Sequence, residues 1–223
     1  MSEKKKEEKK KETKEATVKK KAPAKKKTKP EQAKEKSPAE FLVDERVVFI
    51  TGMFDTENEE KWVREITYHL MKDPNKPITL FINSYGGRVA TALALASLLS
   101  GFKSYVNTVC TGVAASAGAV LLSCGTPGHR YITPEASGVM IHSISAGTFG
   151  HVEDMKISVQ HFDYVNKHLA TLLSQNTRQP VDKLLEIMER DYWMSPDEAL
   201  NFGIVDKKLW MDNIIADINA YKK

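Results

Sequence analysis

Apolar and polar positions follow two regimes along this chain. After Glu45, short apolar runs of strand length alternate with stretches of helical period, whereas before Ser37 there is almost no apolar pattern. Arg46–Thr51 (RVVFIT) is a compact β-branched run that predicts a first buried strand. Thr56-Glu57-Asn58-Glu59 has capping-box spacing and predicts a helix to about Met71, with Trp62, Ile66, His69 and Leu70 on its inner face. Strands follow at Pro77–Ile82, Tyr105–Cys110 and Val139–Ile141, with helices at Gly87–Ser100 and Ser116–Cys124. From about His151 to Thr177 the period is helical without Gly or Pro, long for a domain of this size, which predicts a helix projecting beyond the body. Pro180 starts another helix through Arg190, and Ser195-Pro196-Asp197-Glu198 combines N-cap, N1 proline and capping-box acid for a short helix closed by Gly203. No solenoid repeat is present, and the alternation predicts an α/β fold of repeated βα units with parallel strands.

Composition divides the 223 residues at the same place. Residues 1–37 hold 16 of the 33 basic and 7 of the 29 acidic side chains, a charge of +9, and residues 38–223 carry −5. All 18 aromatic side chains lie beyond residue 40. A Lys/Glu-rich segment this poor in apolar residues cannot offset its conformational entropy by burial, so residues 1–37 are expected to be a disordered tail and 38–223 one globular domain. The tail has no Arg and seven Glu, unlike an organellar transit peptide, and lacks the apolar stretch of a secretory signal. No run approaches the roughly 20 apolar residues of a membrane span. A soluble, cytoplasmic protein without membrane contact is expected. Cys110 and Cys124 show no metal or CxxC spacing and read as reduced, buried small residues. No metal or cofactor is expected.

Ligands of open α/β sheets bind beyond the carboxyl ends of the strands. There the second strand runs into Asn83-Ser84-Tyr85-Gly86-Gly87, the third into Gly112-Val113-Ala114-Ala115-Ser116-Ala117-Gly118-Ala119, and the strand at Val139–Ile141 into His142. Ser116, in a run of Ala and Gly at a helix N-terminus, suits either a nucleophile near unpaired N–H groups or a simple N-cap. Gly86-Gly87 permits close approach of backbone to a ligand, or an ordinary turn. The GxGxxG and P-loop spacings are absent, which disfavours phosphate binding. Asp191, at the close of a predicted helix, is unfavourable against the macrodipole, so either something else holds it or it is a solvated acid. His129, His151, His161 and His168 read as surface or helix-face residues.

Taken together, Phe81-Ile82-Asn83-Ser84-Tyr85-Gly86-Gly87, Ala114-Ala115-Ser116-Ala117-Gly118-Ala119, Val139-Met140-Ile141-His142, Glu189-Arg190-Asp191, Ser195-Pro196-Asp197-Glu198-Ala199 and Gly203-Ile204-Val205-Asp206 resemble the ClpP family of self-compartmentalising serine peptidases over about residues 41–208. The resemblance implies a ClpP/crotonase-like fold with the long helix as a projecting handle. It implies Ser116 as nucleophile, His142 as general base and acid, Asp191 as the residue orienting His142, and the N–H groups of Gly87 and Ala117 as oxyanion hole. It implies peptide and unfolded-protein substrates and self-association as two stacked heptameric rings.

Four features depart from the family pattern. Tyr85 stands for the usual proline, Ser143-Ile144 replaces Gln-Pro after the histidine, Thr79 is not aromatic in the ATPase-docking cleft beside Phe81, and no N-terminal pore hairpin precedes Arg46. The last two weaken the expectation of a Clp-type ATPase partner. Competing readings are a crotonase-like acyl-coenzyme A enzyme, an inactive structural ring subunit, and a viral or ATPase-independent maturation protease. The basic tail is consistent with nucleic-acid contact or with a solubilising linker.

Overall fold

The computed structural model describes residues 36–221. The chain divides into two units, Met1–Glu35 and Lys36–Lys223. The expectation of a disordered segment over 1–37 therefore lies, apart from Lys36 and Ser37, outside the described residues. Ser37 caps α1 (Pro38–Asp44) in a capping box with Glu40, and Lys36 pairs with Asp44 at 2.7 Å.

The β1 strand (Val47–Phe54), α2 (Thr56–Lys72) and β2 (Ile78–Gly87) form the first crossover unit, with Val48 opposite Leu80 and Ile50 opposite Ile82 in parallel register. Asp55, one residue earlier than the pattern suggests, caps α2 through a bond from the Asn58 N–H. An Asp carboxylate at that position receives the helix's unpaired amide without the backbone having to leave helical dihedrals at Thr56. Trp62, Ile66 and His69 are buried on the inner face of α2, and Trp62 meets Phe54 edge-on at 5.0 Å.

After α3 (Val89–Leu99), β3 (Val106–Ala115) adds in parallel to β2 and leads directly into α4 (Ala117–Ser123), all seven of whose residues are buried. Along its length β3 changes partner. Thr108–Cys110 pair with β4 (Arg130–Ile132), and Val113–Ala115 pair with β5 (Gly138–Ile141). The remaining elements are α5 (Val152–Thr177), α6 (Val181–Ile187), β6 (Tyr192–Met194), α7 (Pro196–Phe202), β7 (Lys207–Lys208) and α8 (Met211–Ala220). Among the described strands β6 alone runs antiparallel, against β5. Strands β2 and β3 run further than expected because each passes an irregularity, after Ile82 on the β2/β3 side, that carries the ladder into the glycine-rich segments. Among the described residues no helix is long and apolar enough to cross a membrane.

The long helix divides in two. From Val152 to Tyr164 no residue is buried, while Leu169, Ala170, Leu173 and Thr177 form an inward stripe against the body. The α6 helix stops at Ile187 rather than Arg190, and the chain turns at Met188 toward β6. His129 is not a surface residue. It is buried, its ring stacked on Tyr105 at 4.2 Å with Nδ1 3.0 Å from Asn107 Oδ1, because Tyr221 at the end of α8 closes over it.

Two buried guanidinium groups fasten the periphery. Arg46 donates to the carbonyls of His69, Asp73 and Pro77, satisfying the C-terminal end of α2. Arg130, 6% exposed, donates to both carboxylate oxygens of Asp206 and to the Asn176 carbonyl in the last turn of α5. Asp206 also accepts from the backbone N–H groups of Gly128 and Arg130. Burial alone would raise the Asp206 carboxyl, but the Arg130 guanidinium and these amides outweigh it and hold the group below its ordinary value of 3.8. A carboxyl lowered by folding contributes its stability above the unfolded pKa of about 4 and loses it as pH falls through the folded value. Asp206→Asn is therefore expected to cost about 3 kcal/mol at pH 7, because it leaves Arg130 buried without its counter-charge. Denaturant titrations should show the gap between wild type and variant narrowing below about pH 4; a gap independent of pH would contradict this role.

Candidate active site

Three parallel strands end side by side, and the residues that follow them meet. The backbone of β3 leaves Ala115 into Ser116 at φ 55 and ψ −120, a region that non-glycine residues rarely occupy and that costs about 1–3 kcal/mol. The turn is that sharp because α4 starts at once and lies against β2. A Cβ on Gly86 would fall 2.6 Å from the Ala115 carbonyl oxygen and 2.8 Å from the Ala117 nitrogen. One on Gly118 would lie 3.0 Å from the Ser84 oxygen. The Ala/Gly run thus exists to let one backbone rest on another. Gly86 and Gly87, at φ 91 and 143, also hold conformations open to glycine.

Ser116 occupies the N-cap position of α4 but its hydroxyl makes no capping bond. Instead Oγ lies 2.8 Å from His142 Nε2. Register places the histidine. Ala115 pairs with Met140 across β3 and β5, and the Ser116 N–H donates to the Met140 carbonyl at 2.8 Å, so His142 follows two residues later on the same edge. Antiparallel pairing of Ile141 with Tyr192 then makes residues 142 and 191 the next opposed positions, with His142 Nδ1 3.4 Å from Asp191 Oδ1. Asp191 does not close a helix. It immediately precedes β6, and its side chain is 62% exposed against 25% for His142. Sequence pattern does not disclose this strand because Tyr192-Trp193-Met194 is only three residues long, and the signal it does carry is an aromatic, apolar character just before the Ser195 cap.

Gly87 and Ala117 both line a cavity of about 330 Å³ beside the Ser116 hydroxyl. Its walls are aliphatic, from Val89, Ala92, Val120, Leu169, Leu173 and Met188. Amides at the start of a helix have no intrahelical partner and can bind a developing oxyanion. The cavity can take an apolar side chain next to the bond attacked. The two cysteines offer no competing nucleophile: burial pushes the Cys110 thiol up to about 12 and the Cys124 thiol up to about 11. Among the described residues there is no cluster of His, Cys, Asp or Glu able to hold a metal ion. His151 occupies the N-cap position of α5 without a side-chain capping bond, and the rings of His161 and His168 stack with Tyr164 on that helix.

A serine on a strained strand-to-helix turn, facing an imidazole at the end of the neighbouring strand, is the geometry of a serine hydrolase of α/β architecture. Known sequences narrow the class. The sequence model of the Clp protease family matches residues 30–210. The chain is 38% identical over 166 residues to the ATP-dependent Clp protease proteolytic subunit 1 of Chlamydia felis (strain Fe/C-56), an alignment covering 74% of this chain and 81% of that protein. Proteolytic subunit 2 of Chlamydia abortus (strain DSM 27085 / S26/3) is 38% identical over 74% of this chain and 80% of its own length. Proteolytic subunit 2 of Chlamydia muridarum (strain MoPn / Nigg) is 37% identical over 74% and 81%. The chain belongs to the Clp protease family and is a ClpP-type serine peptidase.

The backbone contact at Gly86 yields a direct test. Gly86→Ala puts a methyl group into backbone atoms that cannot move aside and is expected to destabilise by about 2 kcal/mol or more. Gly147, where a Cβ would meet open space, should accept alanine within about 0.5 kcal/mol. Thermal melting of the two variants checks this, and equal midpoints would show that β2 and α4 are not so tightly joined.

Proposed function

We propose that Ser116, His142 and Asp191 form a catalytic triad that hydrolyses peptide bonds of unfolded proteins and peptides. The observation that carries this reading is the 2.8 Å contact between Ser116 Oγ and His142 Nε2 at the mouth of an apolar cavity. His142 Nε2 takes the Ser116 proton as Oγ adds to the scissile carbonyl carbon, and the resulting oxyanion is held by the N–H groups of Gly87 and Ala117. The imidazolium then gives its proton to the leaving amine, and an acyl-enzyme remains on Ser116. Water, deprotonated by His142, attacks that ester and releases the acid, restoring the serine. Asp191 faces Nδ1, fixes the tautomer with its proton there, and stabilises the imidazolium.

The handle helix supports self-association. Its unburied half exposes Val152, Ile157, Val159 and Tyr164, apolar surface suited to a second copy of the chain. We infer two stacked seven-membered rings enclosing the sites, with the folded unit and the basic segment 1–37 as separate parts. Pores of such a chamber exclude folded proteins, so short peptides are cleaved without nucleotide. The relatives are named as ATP-dependent. In this chain β2 carries a buried Thr79 near Phe81, whose ring stacks on Phe49, and the segment before β1 is the short helix α1 rather than a hairpin, so stimulation by a Clp-type ATPase should be weak. Nucleic-acid contact by the basic segment is a secondary proposal. Free Cys110 and Cys124 suit a cytoplasmic, reducing setting.

Ser116→Ala should abolish hydrolysis of a fluorogenic peptide, and Asp191→Asn should lower kcat by about 10⁴ as the amide favours the wrong imidazole tautomer. Retention of turnover within about threefold in Asp191→Asn would remove Asp191 from the triad. Light scattering of the wild type should report a closed assembly near fourteen copies, and a monomer at micromolar concentration would dismiss the chamber.

A further inference from the structure

The strand that carries His142 has to be stopped firmly just beyond it, because the following chain offers no support. Residues 145–150 are exposed and have no regular structure, and a Cβ added at Gly147 or Gly150 would meet nothing within 4 Å. Three bonds act before that point. The Ser143 N–H donates to the Met188 carbonyl at 2.6 Å. The Ile144 N–H donates to Asn166 Oδ1 at 3.2 Å, and Asn166 Nδ2 donates to Ser143 Oγ at 3.3 Å.

Asn166 lies three residues before Leu169 and seven before Leu173, so it continues the inward stripe of α5 at the level where the helix leaves the body. A neighbouring Leu or Ala would serve packing there. An amide is needed only because Ile144 has an N–H, a donor that the proline usual at this position of the family does not possess. The same amide reaches Ser143, the other residue after His142 that departs from the family pattern. Asn166, Ser143 and Ile144 thus form one unit, with both functional groups of the amide engaged by the two residues that follow His142.

We propose that Asn166 is a positioning residue for His142, a hydrogen-bonding clamp that does by two bonds what a rigid ring does elsewhere in the family. The proposal rests on the reading of Ser116 and His142 as catalytic. With the clamp in place the chain just beyond β5 is held at Ser143 and Ile144, and the imidazole stays within reach of the Ser116 hydroxyl. Without it the bond from the Ser143 N–H is left to hold the strand end, and displacement of a reacting group by about 1 Å can cost about 100-fold in rate. The walls from Val89, Val120 and Leu173 are untouched, and of the residues the clamp holds only Ile144 also lines the cavity, so KM should change less than kcat.

The test measures kcat and KM separately for a short fluorogenic peptide on the full chain. Asn166→Ala is expected to lower kcat about 10- to 100-fold with KM within about twofold of wild type. Asn166→Asp keeps acceptors for the Ile144 N–H and the Ser143 hydroxyl and should stay within about threefold of wild type. Ile144→Pro removes the donor, and in that background Asn166→Ala should cost several-fold less than in the wild type. Circular dichroism establishes that each variant is folded. If Asn166→Ala does not fold, the aspartate variant decides: a folded Asn166→Asp as slow as about 100-fold below wild type overturns the clamp. Wild-type kcat in a folded Asn166→Ala, or a loss confined to KM, also overturns it. Failure of the underlying reading looks different, since wild type itself would then cleave no better than Ser116→Ala.

Discussion

Contact between the backbone of Gly86 and the turn Ala115–Ala117 is the constraint on which the rest depends. With no side chain between them, α4 begins directly over β2, and β3 can pass into helix only by placing Ser116 at positive φ. That conformation throws the serine side chain out of both elements and toward the neighbouring strand end. It costs energy locally, and the buried small residues of α4 and the parallel ladder around β3 hold it in place. The conformational freedom of glycine at 86 thus serves to bring backbone amides and a hydroxyl to one spot, where a larger residue would separate them.

The other site residues are placed by register. A parallel pairing of Ala115 with Met140 delivers His142, and an antiparallel pairing of Ile141 with Tyr192 delivers Asp191. Since each residue in a ladder is fixed by its partner, a slip of one residue would turn His142 away from Ser116. The periphery guards against such slips. Arg130 and Asp206 tie β4, the approach to β7 and the end of α5 together, while Arg46 closes α2 against β1. Met188 and Asn166 fix the chain just beyond His142 from two different directions. The site is accordingly a product of long-range packing, although each of its residues lies within a short local motif.

What the sequence discloses follows from this division. Local signals are readable: the capping box at Ser195, the strand cores of β1 to β3, the Ala/Gly run around Ser116 and the long helical period of α5 all correspond to elements of the structure. Signals that need a partner are not. Strands β4 and β7 are two or three residues long and exist because β3 and each other lie alongside, and β6 exists because β5 does. Asp191 looks misplaced at a helix end because the strand that explains it has no period of its own. His129 looks like a surface residue because the aromatic ring that covers it comes from Tyr221, at the far end of the domain's sequence. Asn166 carries no signal, since one amide on a helix face means nothing until the opposing N–H is known.

The proposed triad requires that the fold activate Ser116 in particular, through the strained turn and the imidazole of His142. Treatment of the native protein with a fluorophosphonate, followed by peptide mapping, measures this most directly, because the reagent needs an activated hydroxyl and reports its position. Activation of this kind gives one adduct per chain, on Ser116, lost in His142→Ala. Labelling of another residue, or undiminished labelling of Ser116 when His142 is removed, would contradict it.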